Sequence, residues 1–164
     1  MNQRSELIPF NNKLAAINMT HSEIECFMRE ALHEGRKAIN KCKPNPPVGC
    51  ILVREGEIIA KGHTNEPMKP HAEAMALNQI EGSLENVTAF VTLEPCSFHG
   101  RTPSCANELV KRNIKKVYIG MLDPHPKNSG AGLRILVKAG IQVELGILET
   151  EVINDLQPYL FKAS

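Results

Sequence analysis

Helical spacing opens the patterned part of the chain. Ile24, Phe27, Met28, Ala31 and Leu32 recur at three- and four-residue intervals, which predicts one apolar stripe on a helix running to about Ile39. Thr20 followed by Glu23 has the form of a capping box for its start. The Pro-rich stretch from Lys43 to Pro47 predicts the loop that ends it. The pattern then changes. Val48 to Val53 is a short apolar, β-rich run, Glu55-Gly56 reads as a turn and Glu57 to Ala60 continues, so a hairpin is expected. A loop from Gly62 to Pro70 follows, and Ala72 to Ile80, rich in Ala and Leu, predicts a helix. Val87 to Leu93 predicts a buried strand, Glu94 to Pro103 a loop, and Ser104 to Asn113 a helix with Pro103 near its first turn. Lys116 to Met121 predicts a fourth strand. Gly130 and Gly132 precede a helix from about Leu133 to Ala139, which Gly140 is placed to stop. Ile141 to Gly146 gives a fifth strand, and Leu148 to Leu156 a short last helix.

Helix, hairpin, then alternating helix and strand implies an α/β fold, a three-layer α/β/α sandwich around a five-stranded mixed sheet. Residues 1–19 show no clear period and are expected to be a poorly ordered arm, or one tied down by a partner surface, with residues 20–164 forming a single domain. The 164 residues suffice for one domain with its own core. Aromatic residues make up 4%, Trp is absent, and 19 basic against 18 acidic residues leave a net charge of +1, which argues against a nucleic-acid binder. No stretch has the length and apolarity of a membrane span. Of the five cysteines, Cys26 and Cys50 fall in apolar patterns and are expected to be buried thiols, and Cys42 lies in a polar turn. Nothing reads as a disulfide framework, which points to a reducing, cytoplasmic setting.

The remaining cysteines carry chemistry. His71, Cys96 and Cys105 are three ligands of the type and number that hold a zinc ion with one open position. His71 and Cys105 fall near predicted helix starts, and Cys96 falls just after a predicted strand. Zinc lowers the pKa of a bound water from about 15.7 toward 7. Glu73, two residues beyond the histidine, is placed to move that water's protons without ligating the metal. The bland alternative is a structural zinc site. It needs a fourth ligand, for which His99 is available, although a histidine between the two cysteines could equally face a substrate. The order His-x-Glu, Pro-Cys, Cys is that of zinc-dependent nucleobase deaminases.

Longer stretches narrow this. Pro44-Asn45-Pro46-Pro47-Val48-Gly49-Cys50, Pro70-His71-Ala72-Glu73, and Thr92 to Cys105 resemble the pyrimidine deaminase family of riboflavin biosynthesis, the deaminase half of a bifunctional deaminase–reductase. The eight residues between Cys96 and Cys105 set this family apart from deaminases with Cys-x-x-Cys spacing. Met121-Leu122-Asp123-Pro124 and Gly130-Ala131-Gly132 extend the resemblance over about residues 24–160. It implies a cytidine deaminase-like fold, Zn2+ as cofactor, a homodimer, and release of ammonia from the 2-amino group of 2,5-diamino-6-ribosylamino-4(3H)-pyrimidinone 5′-phosphate. A separate reductase would act downstream. It further implies that Asn45 contacts the pyrimidine, that Arg101 lies near the ribose phosphate and that Asp123 lies at the pocket rim. His63, Phe98, His99 and His125 complete the expected substrate contacts, with three departures. Phe98 stands where the family has His, His125 stands where it has Asn, and His63 lies one residue farther from the metal histidine, so that either a one-residue loop insertion restores its place or Thr64 takes it. A deaminase with a different substrate, or a non-catalytic zinc-bearing binding subunit, are the competing readings.

Overall fold

The computed structural model of the chain describes residues 18–98 and 103–162. Residues 1–17, most of the expected arm, lie outside the described residues, as do His99 and Arg101. Met19, at the arm's end, packs against the core.

Thr20 caps helix α1 (His21–Arg36): its hydroxyl accepts the Glu23 N–H at 3.2 Å, and the Glu23 carboxylate accepts the Thr20 N–H at 3.1 Å. The helix stops three residues before Ile39. The carbonyls of Glu34, Gly35 and Arg36 are taken by the N–H groups three residues on, a tighter turn than α, and Asn40 then adopts a left-handed φ of 74°. Ile24, Met28, Ala31 and Leu32 are buried as the spacing required. Cys26 is not: it lies off that stripe and is exposed, contrary to expectation, whereas Cys50 is buried in the sheet and Cys42 is buried in the turn after α1.

Strands β1 (Gly49–Arg54) and β2 (Glu57–His63) form the hairpin, and both turn residues, Glu55 and Gly56, have positive φ, as in a type I′ two-residue loop. Pairing of Gly49 with His63 and of Cys50 with Gly62 carries β2 past Ala60, to where a loop was expected. Strand β3 (Val87–Leu93) lies antiparallel to β1 and parallel to β4 (Lys116–Met121), which is parallel in turn to β5 (Gln142–Leu145). The order β2-β1-β3-β4-β5 is the expected five-stranded mixed sheet.

Alternation along the strands divides the core in two. Ile51, Val53, Phe90 and Tyr118 pack with α1 on one face, and Phe90 stacks on Tyr118 at 4.8 Å between ring centroids. Cys50, Leu52, Ala89, Val91, Val117 and Ile119 pack on the other, with α2 (Ala72–Leu77), α3 (Cys105–Lys111) and α4 (Ala131–Lys138) contributing Ala76, Leu109 and Leu136. Helix α5 (Glu149–Leu156) packs on β4 and reaches α1. Burial on both faces explains why β3 reads as a continuous apolar run. Helix α2 ends at Leu77 rather than Ile80, in i to i+3 turns made by Gln79 and Ile80.

Two glycines permit the approaches that matter to the site. A Cβ at Gly62 would sit 2.1 Å from the Ala72 carbonyl oxygen, so α2 lies directly on β2. A Cβ at Gly132 would sit 1.9 Å from the Pro95 carbonyl oxygen, so the first turn of α4 lies on the segment leading to Cys96.

Candidate active site

The parallel strands β3 and β4 end on the same side of the sheet, the side on which α/β folds collect ligands. Leu93 ends β3, Glu94 and Cys96 follow it, and Asp123 follows β4. His71 is the N-cap residue of α2, with no side-chain capping bond, and Cys105 is the first residue of α3, whose N-cap is Ser104. Pro103 thus precedes the cap, and the Ser104 hydroxyl accepts the Asn107 N–H at 3.1 Å.

These elements bring the three predicted ligands together. His71 Nδ1 lies 3.4 Å from Cys105 Sγ and 3.8 Å from Cys96 Sγ, and the three donor atoms all fall within 4.8 Å of one another. Zinc bonds of about 2.3 Å to sulfur and 2.0–2.1 Å to nitrogen, at tetrahedral angles, require N to S separations of about 3.6 Å. The donor set and its spacing therefore fit a zinc ion. The Cys105 N–H donates to Cys96 Sγ at 3.2 Å, fixing that sulfur. Of the two thiols Cys96 ionises first. A hydrogen bond from the Cys105 thiol brings it down to about 4, with His71 and the Cys105 amide adding to the effect, while the same pairing pushes Cys105 up together with burial. The Cys96 hydrogen bond holds His71 above its ordinary value, against the effect of burial.

Glu73 lies in the first turn of α2 and is 4% exposed. Burial lifts its carboxyl to about 7, with the Cys96 thiolate reinforcing the shift. A carboxyl poised there can accept and return a proton at neutral pH.

A cavity of about 150 Å3 adjoins these groups, lined by Asn45, Thr64, His71, Glu73, Phe98 and Asp123 among others. A cavity of about that size holds a single six-membered ring. Asn45, Phe98 and Asp123 thus line the same cavity. His63 is not among its lining residues. Its Nδ1 lies 2.9 Å from Glu34 Oε1 of α1, and Thr64 faces the cavity in its place. His125 lies outside the lining too, with its ring 6.4 Å from Phe98 and 5.2 Å from Phe161.

Two further residues shape the cavity. The Thr64 hydroxyl donates to the Pro46 carbonyl at 2.8 Å and accepts the Val48 N–H at 2.9 Å, which clamps the loop carrying Asn45. Glu94 is 3% exposed and lines the cavity. Its only signal in the sequence is a charge that ends an apolar strand directly before Pro95-Cys96.

A His-Cys-Cys donor set beside a buried glutamate, at the strand ends of a three-layer α/β sandwich, defines the class of zinc-dependent deaminases. The comparisons agree. Residues 21–121 match the model of the cytidine and deoxycytidylate deaminase zinc-binding region, and the chain belongs to that family. It is 42% identical over 136 residues to the riboflavin biosynthesis protein RibD of Chlamydia pneumoniae, which covers 83% of this chain and 36% of that protein. Among solved structures, RibD of Acinetobacter baumannii superposes with a TM-score of 0.81 at 40% identity, over 85% of this chain and 40% of that one. The diaminohydroxyphosphoribosylaminopyrimidine deaminase/5-amino-6-(5-phosphoribosylamino)uracil reductase of Thermotoga maritima superposes with a TM-score of 0.79 at 39% identity, over 85% of this chain and 40% of that one. The chain thus spans little more than a third of the length of such relatives. No helix among the described residues is long and apolar enough to cross a membrane.

Proposed function

We propose that this domain is the pyrimidine deaminase of riboflavin biosynthesis. It removes the 2-amino group of 2,5-diamino-6-ribosylamino-4(3H)-pyrimidinone 5′-phosphate, consuming water and releasing ammonia. The observation that carries the reading is the convergence of His71, Cys96 and Cys105 beside buried Glu73, at a cavity of single-ring size walled by Asn45 and Asp123. His71, Cys96 and Cys105 hold zinc, which when bound supplies an activated water for attack on the ring carbon. Glu73 accepts a proton, passes it to a ring nitrogen and later delivers one to the departing ammonia. Asn45 and Asp123 orient the ring by hydrogen bonds, and Arg101 binds the ribose phosphate. The domain works in the cytoplasm as a homodimer, and a reductase acts on its product.

The test is ammonia release from that substrate by the zinc-loaded protein, with Glu73→Gln as control. Turnover by the wild type and a fall of about 10²–10⁴-fold in the variant are expected. Absent turnover, with zinc bound and the fold intact, would favour the second reading, a related deaminase acting on a different aminopyrimidine or nucleotide. The observation behind that reading is Phe98, an apolar ring among the lining residues.

A further inference from the structure

Glu94 sits where the metal-site segment leaves β3, and its carboxylate reaches across to a different part of the chain. Oε1 accepts the Asp123 N–H at 3.1 Å and the Gly130 N–H at 3.0 Å, and Oε2 accepts the Leu133 N–H at 3.1 Å. These partners lie between 29 and 39 residues away in sequence. Gly130 is the N-cap residue of α4 and has no side chain to cap with, so Glu94 supplies acceptors that the helix start lacks.

Buried Asn128 closes the same network. Its Nδ2 donates to the Pro95 carbonyl at 3.3 Å and to Asp123 Oδ2 at 3.4 Å, and its Oδ1 accepts the Gly132 N–H at 3.2 Å. Asp123 Oδ1 accepts the His125 N–H at 3.0 Å. Asp123 is thereby fixed at its backbone by Glu94 and at its carboxylate by Asn128 and the His125 amide.

We infer that Glu94 is a positioning residue that holds the Asp123 wall of the cavity in register with the metal site. The first turn of α4 is the joint between the two. A carboxylate is suited to this place because all three partners are donors. A glutamine can keep the two bonds made at Oε1, but it then turns its NH2 toward the Leu133 N–H, donor against donor. An alanine loses all three. The inference rests on the proposed reading only in assigning Asp123 to the substrate.

The test compares Glu94→Ala and Glu94→Gln with the wild type, each zinc-loaded and with zinc content measured. Residue-resolved amide exchange should show Asp123, Gly130 and Leu133 opening roughly tenfold or more faster in the alanine variant. The amides that pair β3 with β4 should keep their rates, and the glutamine variant should free Leu133 alone. In turnover the alanine variant should raise KM roughly tenfold with kcat held within about threefold, and glutamine should restore most of the loss. If the wild type does not turn over the proposed substrate, the functional reading fails while the exchange data still decide the role of Glu94. Unchanged protection of the three amides, a uniform loss of protection across the chain, or a fall in kcat at constant KM would each overturn the inference.

Discussion

Gly62→Ala tests whether the packing of α2 on β2 sets the metal site. A Cβ at Gly62 would stand 2.1 Å from the Ala72 carbonyl oxygen and 2.7 Å from the Ala76 N, both backbone atoms of α2. A carbon and an oxygen that are not bonded need over 3.0 Å, so the first turn of α2 must retreat by about 1 Å. That turn begins at His71 and carries Glu73. Metal ligands tolerate errors of only about 0.2 Å, and a displacement near 1 Å in a catalytic group can cost about 10²-fold in rate. The variant should bind zinc about 10–100-fold more weakly and turn over about 10²-fold more slowly even when saturated with zinc. Overpacking should also cost about 1–3 kcal/mol, or several degrees in Tm for a chain of this size. The assays are competition for zinc with a chromophoric chelator, ammonia release at saturating zinc, and thermal unfolding. A Gly62→Ala protein with wild-type zinc affinity and turnover would refute the claim that this contact fixes the ligands, whatever its Tm.

Two shorter predictions address the walls of the site. Thr64→Val keeps the shape but loses both hydroxyl bonds to the Asn45 loop, leaving the Val48 N–H and the Pro46 carbonyl with only their 3.0 Å bond to each other. KM should rise, with about 1–3 kcal/mol lost from stability, and Thr64→Ser should restore most of both; equal KM values in the three proteins would exclude a role for the clamp. Glu34 is buried, and burial alone would raise its carboxyl, but hydrogen bonds from Lys37 and His63 and their charges outweigh this and hold it below the ordinary 4.5. Its contribution is therefore present above that ordinary value and is lost as pH falls through the lower folded value. Glu34→Gln should be less stable than wild type by about 1–2 kcal/mol at neutral pH, and the gap should narrow at about pH 4 and below. Urea unfolding at the two pH values decides, and a gap that does not depend on pH would refute the assignment.

Much of the site was legible because its chemistry depends on residue type and spacing more than on distant packing. Three soft donors and one carboxylate mark a zinc centre wherever they fall beside helix starts and a strand end, and here those ends lay where the apolar patterns put them. Counting shows that His63 is offset by one residue and leaves His63 and Thr64 as alternatives; which of them faces the cavity depends on where β2 ends. Strand β2 runs on to His63, where side chains alternate between faces, so His63 and Thr64 point opposite ways and a shift of one residue exchanges their roles. Cys26 was misjudged because a cysteine in a helical segment is buried only if it shares the apolar stripe. The roles of Glu94 and Asn128 could not be read from the sequence, because every partner that makes them structural lies far along the chain or depends on the turn before α4.

Two of the three departures from the family pattern, Phe98 and His125, fall where the structure can accept them. Glu73 and Cys105 are each 4% exposed and are held by helices packed on the sheet, so a change there disturbs zinc, proton transfer and core together. Phe98 is 45% exposed, Phe161 46%, and His125 lies between their rings, outside the buried sheet. Exchanging a polar side chain for Phe98 at this rim leaves no core cavity and strands no buried donor, so its energetic consequence is confined to whatever ring enters the cavity. On the proposed reading, the buried half of the site carries the reaction and Phe98 at its exposed rim meets the ring that enters the cavity. On that reading, a chain that keeps every zinc donor and Glu73 while altering Phe98 has kept the chemistry of its family and changed the cavity wall that meets the substrate, whereas His125 lies outside that wall.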